Sequence, residues 1–236
     1  MNSPTPSPCI TMDRMVSIHE EGIQVVDVPL RHATEETLRG FGRIVQAFDE
    51  ADVDIVTWPA QGWRPIEPNT GNQGGVTQGE FEVYVDGEQI CGRNHAVDGH
   101  YITGWLADPQ TASPQRTAAN RTRVLVREAN YHPDGGQIFY PRQPMPFVAL
   151  LALPGDDVKP EDFVAFFFDG RFGLHIDANV WHQPLFPVHE RIVFNDKQGR
   201  VHACVACDFV EEFGVYLSVP LRMPTPDESG AATSDR

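Results

Sequence analysis

The sequence is poor in positive charge. Lys and Arg together number 18 against 33 Asp and Glu, which gives a formal net charge of -15 at pH 7. No cluster of basic residues stands out against that background, so attraction to nucleic-acid phosphates or to anionic lipid is not expected. An anionic ligand would need a local basic pocket to overcome the surrounding field. The composition therefore predicts neither a nucleic-acid partner nor a membrane surface.

Cysteine and long apolar runs are also scarce. Four cysteines at irregular spacing are too few for a disulfide framework in a chain of 236 residues. The sequence contains no run of about 18 apolar residues, the length that a transmembrane helix needs. The N-terminal residues lack the basic start and apolar core of a signal peptide. These absences predict a cytoplasmic protein.

Turn-forming residues, by contrast, are abundant, with 20 Gly and 20 Pro. They separate short apolar or alternating runs that predict strands. The strand candidates are Phe81–Val85, Thr122–Val126, Phe147–Leu153, Phe163–Phe168, Arg191–Phe194, Val201–Phe209 and Val215–Leu221. Turns are predicted at Asp86-Gly87, Pro154-Gly155, Asp169-Gly170 and Lys197-Gln198-Gly199. Because there is no βαβ alternation and no repeat of fixed period, the pattern predicts a sandwich or a small closed barrel.

A single helix is predicted ahead of all these strands. Thr34 can act as its N-cap, and Glu35 and Glu36 are favourably placed in its first turn. The apolar residues that follow, as far as Val45, recur at helical spacing. We therefore expect a short helix that begins at Thr34.

The two ends of the chain differ in composition from the middle. Residues 1–14 and 224–236 are rich in Ser, Thr, Pro and acidic side chains, with little that could be buried. Both segments are predicted to be disordered tails. The sequence thus predicts one domain over residues 15–223.

A first polar segment, residues 128–141, combines three kinds of reactive side chain. Glu128, His132 and Gln137 lie around a Gly-Gly pair, which permits backbone conformations that most residues cannot adopt. An imidazole near a carboxylate suits acid–base catalysis near neutral pH. The segment alone does not identify a reaction.

A second polar segment, residues 173–186, contains two more histidines. His175, Asp177 and Asn179 would share one face of an extended stretch, and His182 follows after a bend. Trp181 beside His182 is expected to bury its area in the core. The two segments together predict a site built around His132, Gln137 and His182.

These segments resemble the motifs of the cupin class of small β-barrels. That class has a first motif of the form H-x-H, then three or four residues and a Glu, and a later motif with a single His. Asn130-Tyr-His132, four residues and Gln137 look like an altered first motif, and His182 looks like the histidine of the second. The resemblance implies an all-β fold with minor α content, a cupin-type double-stranded β-helix or jelly-roll barrel.

Within that class, the sequence is similar to the ureidoglycolate lyase family. The phrase Asn-Val-Trp-His-Gln-Pro-Leu-Phe at 179–186 follows His-Pro-x-Gly-x-Gln-x-Phe-x-Pro at 132–141, and the likeness is strongest over 121–194. The resemblance implies a homodimer that cleaves ureidoglycolate to glyoxylate and urea, a step of allantoin degradation in purine metabolism. Residues 55–115 lie outside this likeness and look inserted or remodelled.

The implied reaction requires proton transfer. Ureidoglycolate carries a hydroxyl and a urea nitrogen on one carbon, so elimination needs a base for the first and an acid for the second. We expect His132 and His182 to be the proton-transfer pair. Gln137 would orient the substrate by hydrogen bonds, and Glu128 would act as a base or orient His132.

A small anionic substrate also needs binding groups. Asn179, His175 and Asp177 are the candidates from the second segment. Arg127 or Arg93 could pair with a carboxylate in a bidentate geometry and supply the local positive charge. Surface ion pairing is the alternative role for either arginine.

A metal is a separate expectation. His132, Gln137 and His182 could hold a divalent ion through nitrogen and oxygen ligands, and the resemblance implies nickel or another such metal. Asp177 and Gln183 occupy positions where related members have histidines, so the ligand set is altered.

Two other functions stay open at this point. One is a metal-dependent cupin of another reaction class, an isomerase or a dioxygenase, which would contain stoichiometric metal. The other is a cupin that binds a small ligand without catalysis, whose affinity would survive His182→Ala.

Overall fold

The computed structural model describes residues 15–53, 55, 62–71 and 73–223, and β-strands dominate it. The strands are β1 Gln24–Asp27, β2 Leu30–His32, β3 Gly42–Val45, β4 Gln73–Asp86, β5 Gln89–Asn94, β6 Gly99–Trp105, β7 Arg123–Val126, β8 Glu128–Tyr131, β9 Gln137–Pro141, β10 Phe147–Ala152, β11 Val164–Phe168, β12 Gly173–Ile176, β13 Trp181–His182, β14 Phe186–Pro187, β15 Arg191–Val201, β16 Val205–Asp208 and β17 Val215–Pro220. A short helix, α1, covers Phe209–Phe213, and 3-10 turns cover Phe48–Glu50 and Pro160–Asp162.

The strands form two sheets. The larger has ten strands in the order β1-β17-β7-β6-β5-β4-β15-β9-β12-β3, and the smaller has seven, in the order β16-β8-β13-β10-β11-β2 with β14 beside β10. Neighbours are antiparallel except for β1 with β17 and β2 with β11. The predicted all-β, cupin-type fold with minor α content is confirmed, and the two sheets form an open sandwich.

Aromatic side chains link the two sheets. Phe147 of β10 stacks on Phe168 of β11 with ring centroids 4.5 Å apart. The same ring meets Phe194 of β15, in the larger sheet, edge-on at 5.1 Å. All three side chains are buried. Burying a side chain of this size stabilises the fold by about 1.5–3 kcal/mol, so such contacts hold the sheets face to face.

The predicted helix after Thr34 is wrong. One turn does begin there, since the N–H of Leu38 donates to the carbonyl oxygen of Thr34 at 3.0 Å. Gly40 then adopts a left-handed φ of 88°, and β3 starts at Gly42 and pairs with β12. A Cβ on Gly42 would lie 1.9 Å from the carbonyl oxygen of His175. Backbone pairing with β12 therefore overrides the local helical pattern.

The predicted turn at Lys197-Gln198-Gly199 is also wrong. β15 continues through these residues because it pairs with β4 on one side and, up to Lys197, with β9 on the other. The turn at Asp86-Gly87 is confirmed, with a φ of 60° at Gly87 between β4 and β5. The polar residues 197–199 therefore belong to a continuous strand that is paired with β4.

Three further predictions concern the ends, membranes and cysteines. The predicted tails, 1–14 and 224–236, lie outside the described residues, and the single domain over 15–223 stays a prediction. Within the described ranges, no helix is long and apolar enough to cross a membrane. Cys91 and Cys207 are free, whereas Cys204 takes part in a disulfide.

Candidate active site

The two polar segments meet in the smaller sheet. His182 of β13 pairs directly with Asn130 of β8, and directly opposed residues of antiparallel strands have their side chains on the same face. Because strand side chains alternate, Glu128 shares that face, and His132 continues it just beyond β8. The ring centroids of His132 and His182 are 5.0 Å apart. The structure therefore brings the two imidazoles of the sequence prediction together.

Each of these imidazoles is held through one nitrogen. Nδ1 of His132 lies 2.8 Å from the carbonyl oxygen of Ala203, and Nδ1 of His182 lies 2.8 Å from that of Val180. A carbonyl oxygen only accepts, so Nδ1 carries the hydrogen and Nε2 keeps its lone pair in the neutral ring. Burial lowers the pKa of His182 to about 4. Burial and the neighbouring imidazoles also hold the pKa of His132 well below its usual value, so both rings are neutral near pH 7.

A third imidazole, His202, completes the cluster. Its ring centroid lies 4.3 Å from that of His132. Its Nε2 accepts from the backbone N–H of Gly199 at 2.6 Å, so the neutral ring carries its hydrogen on Nδ1. Burial, together with His182, lowers the pKa of His202 to about 3. The sequence prediction missed this residue, whose only signal was a histidine just after a polar strand.

Several buried polar atoms of these segments have no hydrogen-bond partner among the residues that the structure describes. They are Glu128 Oε2, Asn130 Oδ1, Asp134 Oδ1 and Asn179 Oδ1. Asn179 has a left-handed φ of 67°, and its N–H donates to the carbonyl oxygen of His132 at 3.0 Å. An unpartnered buried polar atom costs about 1–3 kcal/mol. Such atoms are candidates for contacts with a bound substrate.

Glu128 stands at the far end of the same face. Burial raises the pKa of its carboxyl group to about 7, and the nearby Asp208 carboxylate adds to the shift. His132 lies four residue steps beyond Glu128 along an extended backbone, a Cα distance of roughly 13 Å. Proton transfer by Glu128 near neutral pH fits its pKa. The expected role in orienting His132 does not fit this distance.

Gln137, at the start of β9, belongs to a buried polar network in the larger sheet. Its Nε2 donates to Asp196 Oδ1 at 2.8 Å and to Gln198 Oε1 at 2.7 Å. Asn94 Nδ2 donates to Gln198 Oε1 at 3.0 Å. Asp196 is fully buried and forms no ion pair within the described residues, and burial raises its pKa to about 7. Asn94 comes from the polar stretch 93–101, a segment outside the sequence likeness.

The polar network adjoins the imidazoles. Gln198 precedes Gly199, whose N–H is bonded to His202, and the His202 ring packs on His132. β9 and β15 are neighbours in the larger sheet. The segments that join Gln137 to His132 and Gln198 to His202 therefore leave the same end of this strand pair. The candidate active site comprises both groups.

His175 and Asp177 lie elsewhere. Ile176 pairs with Gln137 and shares its face, so the preceding His175 points to the opposite face of the larger sheet. There His175 Nδ1 is 3.1 Å from Asp177 Oδ1, and Arg43 NH1 is 3.7 Å from the same carboxylate. The structure thus separates these two predicted binding residues from the candidate site.

The two predicted arginines also face away from it. Arg127 is buried, and its Nε donates to Asp208 Oδ2 at 2.8 Å. Arg93 is exposed on β5, where alternation places it opposite to its buried neighbour Asn94. A surface hollow of about 380 Å³, lined by Arg142 and by the first residues of β15, is also separate from the imidazoles. Neither Arg127 nor Arg93 offers the imidazole cluster a positive charge in this arrangement.

The residues present do not by themselves complete a metal site. Within the described ranges, no group of three or more His, Cys, Asp or Glu side chains is arranged to hold an ion. His202 Nε2 is occupied by a hydrogen bond, and the amide nitrogen of Gln137 faces its acceptors. The remaining nitrogens are Nε2 of His132 and Nε2 of His182, whereas a catalytic zinc site usually has three protein ligands.

Comparison with known proteins places the chain in a family. A family model described as ureidoglycolate lyase matches residues 26–215. The chain belongs to the ureidoglycolate lyase family. A ureidoglycolate lyase of Pseudomonas syringae pv. syringae is 32% identical over 149 residues, which cover 58% of this chain and 88% of that protein. A ureidoglycolate lyase of Azotobacter vinelandii is 30% identical over 125 residues, covering 49% and 75%. A shorter match of 65 residues to the Salmonella enteritidis ureidoglycolate lyase, 27% of this chain and 39% of that protein, reaches 46% identity.

The ureidoglycolate lyase family model matches residues 26–215, a longer stretch than the motif likeness over 121–194. It extends over all three imidazoles and over the polar network, including Asn94 in the stretch that looked remodelled. The sequence prediction missed Asn94, Asp196, Gln198 and His202. Asp196 and Gln198 lie in a polar run inside a β-rich segment, which was the only signal for them. That run predicted a turn at Lys197-Gln198-Gly199 instead.

Proposed function

We propose that this protein is a lyase that cleaves ureidoglycolate to glyoxylate and urea. The observation that carries the proposal is a pair of neutral imidazoles in a chain of the ureidoglycolate lyase family. His132 and His182 are each held through Nδ1, and their Nε2 atoms form no hydrogen bond within the described residues. Neither an isomerase, a dioxygenase nor a non-catalytic binding function has a comparable observation in its favour.

The chemistry needs one proton to move between two atoms of the substrate. A neutral Nε2 takes the hydroxyl proton, the C–O bond becomes the aldehyde carbonyl of glyoxylate, and the C–N bond breaks. The same proton then passes to the departing urea nitrogen. Because both atoms are bonded to one carbon, a single imidazole can serve as base and then as acid. His132 and His182 are the two candidates for this group.

Other groups would assist this transfer. Glu128, whose pKa is about 7, exchanges a proton near neutrality and is a second acid–base candidate. Gln137 and Asn179 would orient the substrate by hydrogen bonds. Binding contacts from His175, Asp177, Arg127 and Arg93 would need a rearrangement of these side chains.

A divalent metal is a separate part of the proposal. If a divalent ion such as nickel takes part, His132, Gln137 and His182 are the residues that would hold it, and it would polarise a substrate oxygen. Treatment with a chelator, followed by the assay with and without added nickel, measures its contribution. We also propose a cytoplasmic homodimer, for which light scattering after size-exclusion chromatography measures the mass.

The central test is glyoxylate release from fresh ureidoglycolate, above spontaneous decay, by the full chain. His132→Ala and His182→Ala should each lower turnover by at least about 100-fold, the usual contribution of a positioned acid or base. His189→Ala, at an exposed position, is the matched control and should leave turnover unchanged. Release no faster than the blank by the folded wild type would contradict the proposal.

A further inference from the structure

The hydrogen bonds of the polar network fix the direction of three side-chain amides. Asn94 Oδ1 accepts from the backbone N–H of Ala96 at 2.9 Å, so Asn94 Nδ2 faces the network. Asn94 Nδ2 is a donor and must contact an acceptor. The atom of Gln198 that lies 3.0 Å from it is therefore Oε1. That same Oε1 lies 2.7 Å from Gln137, which must therefore present Nε2. One backbone N–H thus sets the orientation of every amide in the chain of bonds.

Asp196 reinforces this arrangement. Its two oxygens accept from Gln137 Nε2 at 2.8 Å and from Asn94 Nδ2 at 3.4 Å. In its ionised form the Asp196 carboxylate can only accept, so that form favours the NH₂ side of both amides. Because Asp196 is fully buried in β15, this selection does not depend on a mobile surface group.

Two amide atoms remain open. Gln137 Oε1 is an acceptor and Gln198 Nε2 is a donor, and neither forms a hydrogen bond within the described residues. Neither belongs to the buried atoms that lack a partner, so both reach accessible space. Since the two amides are themselves in contact, the network offers one acceptor and one donor next to the imidazoles. A urea group presents the complementary set, N–H donors beside a carbonyl oxygen.

We propose that Gln137 Oε1 and Gln198 Nε2 bind the urea group of the substrate, with Asn94 and Asp196 as positioning residues. This inference rests on the proposed function and adds the group that selects a ureido acid over a plain 2-hydroxy acid. A site built to hydrogen-bond a substrate group rejects analogues that lack it, because its own polar atoms are then left unpaired.

The test uses two probes that cannot react. Hydantoate (N-carbamoylglycine) has the urea group without the hydroxyl, and glycolate has the hydroxyl without the urea group. Gln198→Met keeps the side-chain volume, removes the open donor and leaves both bonds to Asp196 in place. It should weaken hydantoate binding at least about tenfold and change glycolate binding less than about twofold, measured by titration of the folded full chain.

Gln78→Met is the matched control. Gln78 is exposed on β4, the strand next to β15, so the same substitution there should alter neither affinity. Side-chain amide NMR of the wild type tests the inference without a variant: hydantoate should shift the Gln198 NH₂ signals, and glycolate should not. This second measurement decides the matter if Gln198→Met does not fold.

The outcomes separate the two proposals. Unchanged hydantoate binding by Gln198→Met, or equal weakening of both probes, would overturn the urea-binding inference even if ureidoglycolate is turned over. The opposite result is also possible: Gln198→Met loses hydantoate binding selectively, but the wild type does not cleave ureidoglycolate. That result would overturn the proposed reaction and support the urea site.

Discussion

At the scale of single residues, Arg127 is a buried cation with a specific structural partner. Its guanidinium pairs with Asp208 at 2.8 Å, and Asp208 caps α1 by accepting from the N–H of Val210 at 2.9 Å. Taking away one member of a buried pair leaves the other charge uncompensated. The role of Arg127 is therefore to hold the junction of β8, β16 and α1.

Replacement of Arg127 by Met should accordingly destabilise the protein by about 3–5 kcal/mol. Urea unfolding monitored by tryptophan fluorescence measures this loss. Arg93→Met, at an exposed strand position, is the control and should change stability by less than about 0.5 kcal/mol. A raised KM for ureidoglycolate without loss of stability in Arg127→Met would show that Arg127 binds substrate after all.

How much of the site can be predicted from sequence also depends on residue spacing. His132 and Gln137 were identified because they lie five positions apart in one compact segment, and His182 because it lies in a specific phrase. Asn94 and Gln198 are 104 positions apart and meet only through sheet pairing. Nothing in the local pattern of either residue indicates such a contact, so the polar network could not be predicted.

At the scale of elements, β3 illustrates how one glycine decides a strand. The backbone of Gly42 approaches β12 so closely that a Cβ would lie 1.9 Å from the carbonyl oxygen of His175. A side chain there would force the two strands apart. The edge of the larger sheet therefore depends on this position.

Gly42→Ala should lower the free energy of unfolding by more than about 2 kcal/mol, since a backbone clash adds to the usual cost of such a change. Gly22→Ala is the matched control, because Gly22 also has a positive φ, 88°, but has nothing within 4 Å of an added Cβ. Thermal unfolding of both variants measures the difference. Equal loss in the two would mean that backbone conformation, not contact with β12, determines the cost.

The elements predicted correctly are those with a strong local pattern. β10, β11 and β17 are apolar runs with turn residues at their ends, and each lies within about two residues of its predicted bounds. The helix at Thr34 and the turn within β15 were wrong because distant strands supply hydrogen bonds that local preference does not encode.

At the scale of the whole molecule, buried carboxyl groups and buried imidazoles have opposite effects on how stability changes between about pH 4 and 7. Burial raises the pKa of Glu128 and of Asp196 to about 7, so their stabilising contribution is complete at low pH and is lost as pH rises through 7. Burial lowers the pKa of His182 to about 4 and of His202 to about 3. Their contribution is complete above about pH 6.5 and is lost as pH falls toward 4.

Asp196→Asn should remove one carboxylate contribution. The free energy of unfolding of the variant minus that of the wild type should rise by up to about 4 kcal/mol from pH 4 to pH 8. The reason is that the wild type acquires a buried charge over this range and the variant does not. Chemical unfolding at several pH values measures the slope. A constant offset at every pH would show that Asp196 ionises in the folded protein as readily as in the unfolded chain.

The contacts of the candidate site have a consequence for how the protein matures. His132 is bonded to a backbone group 71 positions away, and Asn94 is bonded to a side chain 104 positions away. Contacts of this sequence separation form late and slowly, because long loops must close first. A chain whose β4–β15 pairing has not yet formed has no complete site, so catalytic activity would appear only with the last steps of folding. An enzyme assay during refolding would then report finished molecules, while circular dichroism would count the unfinished ones as well.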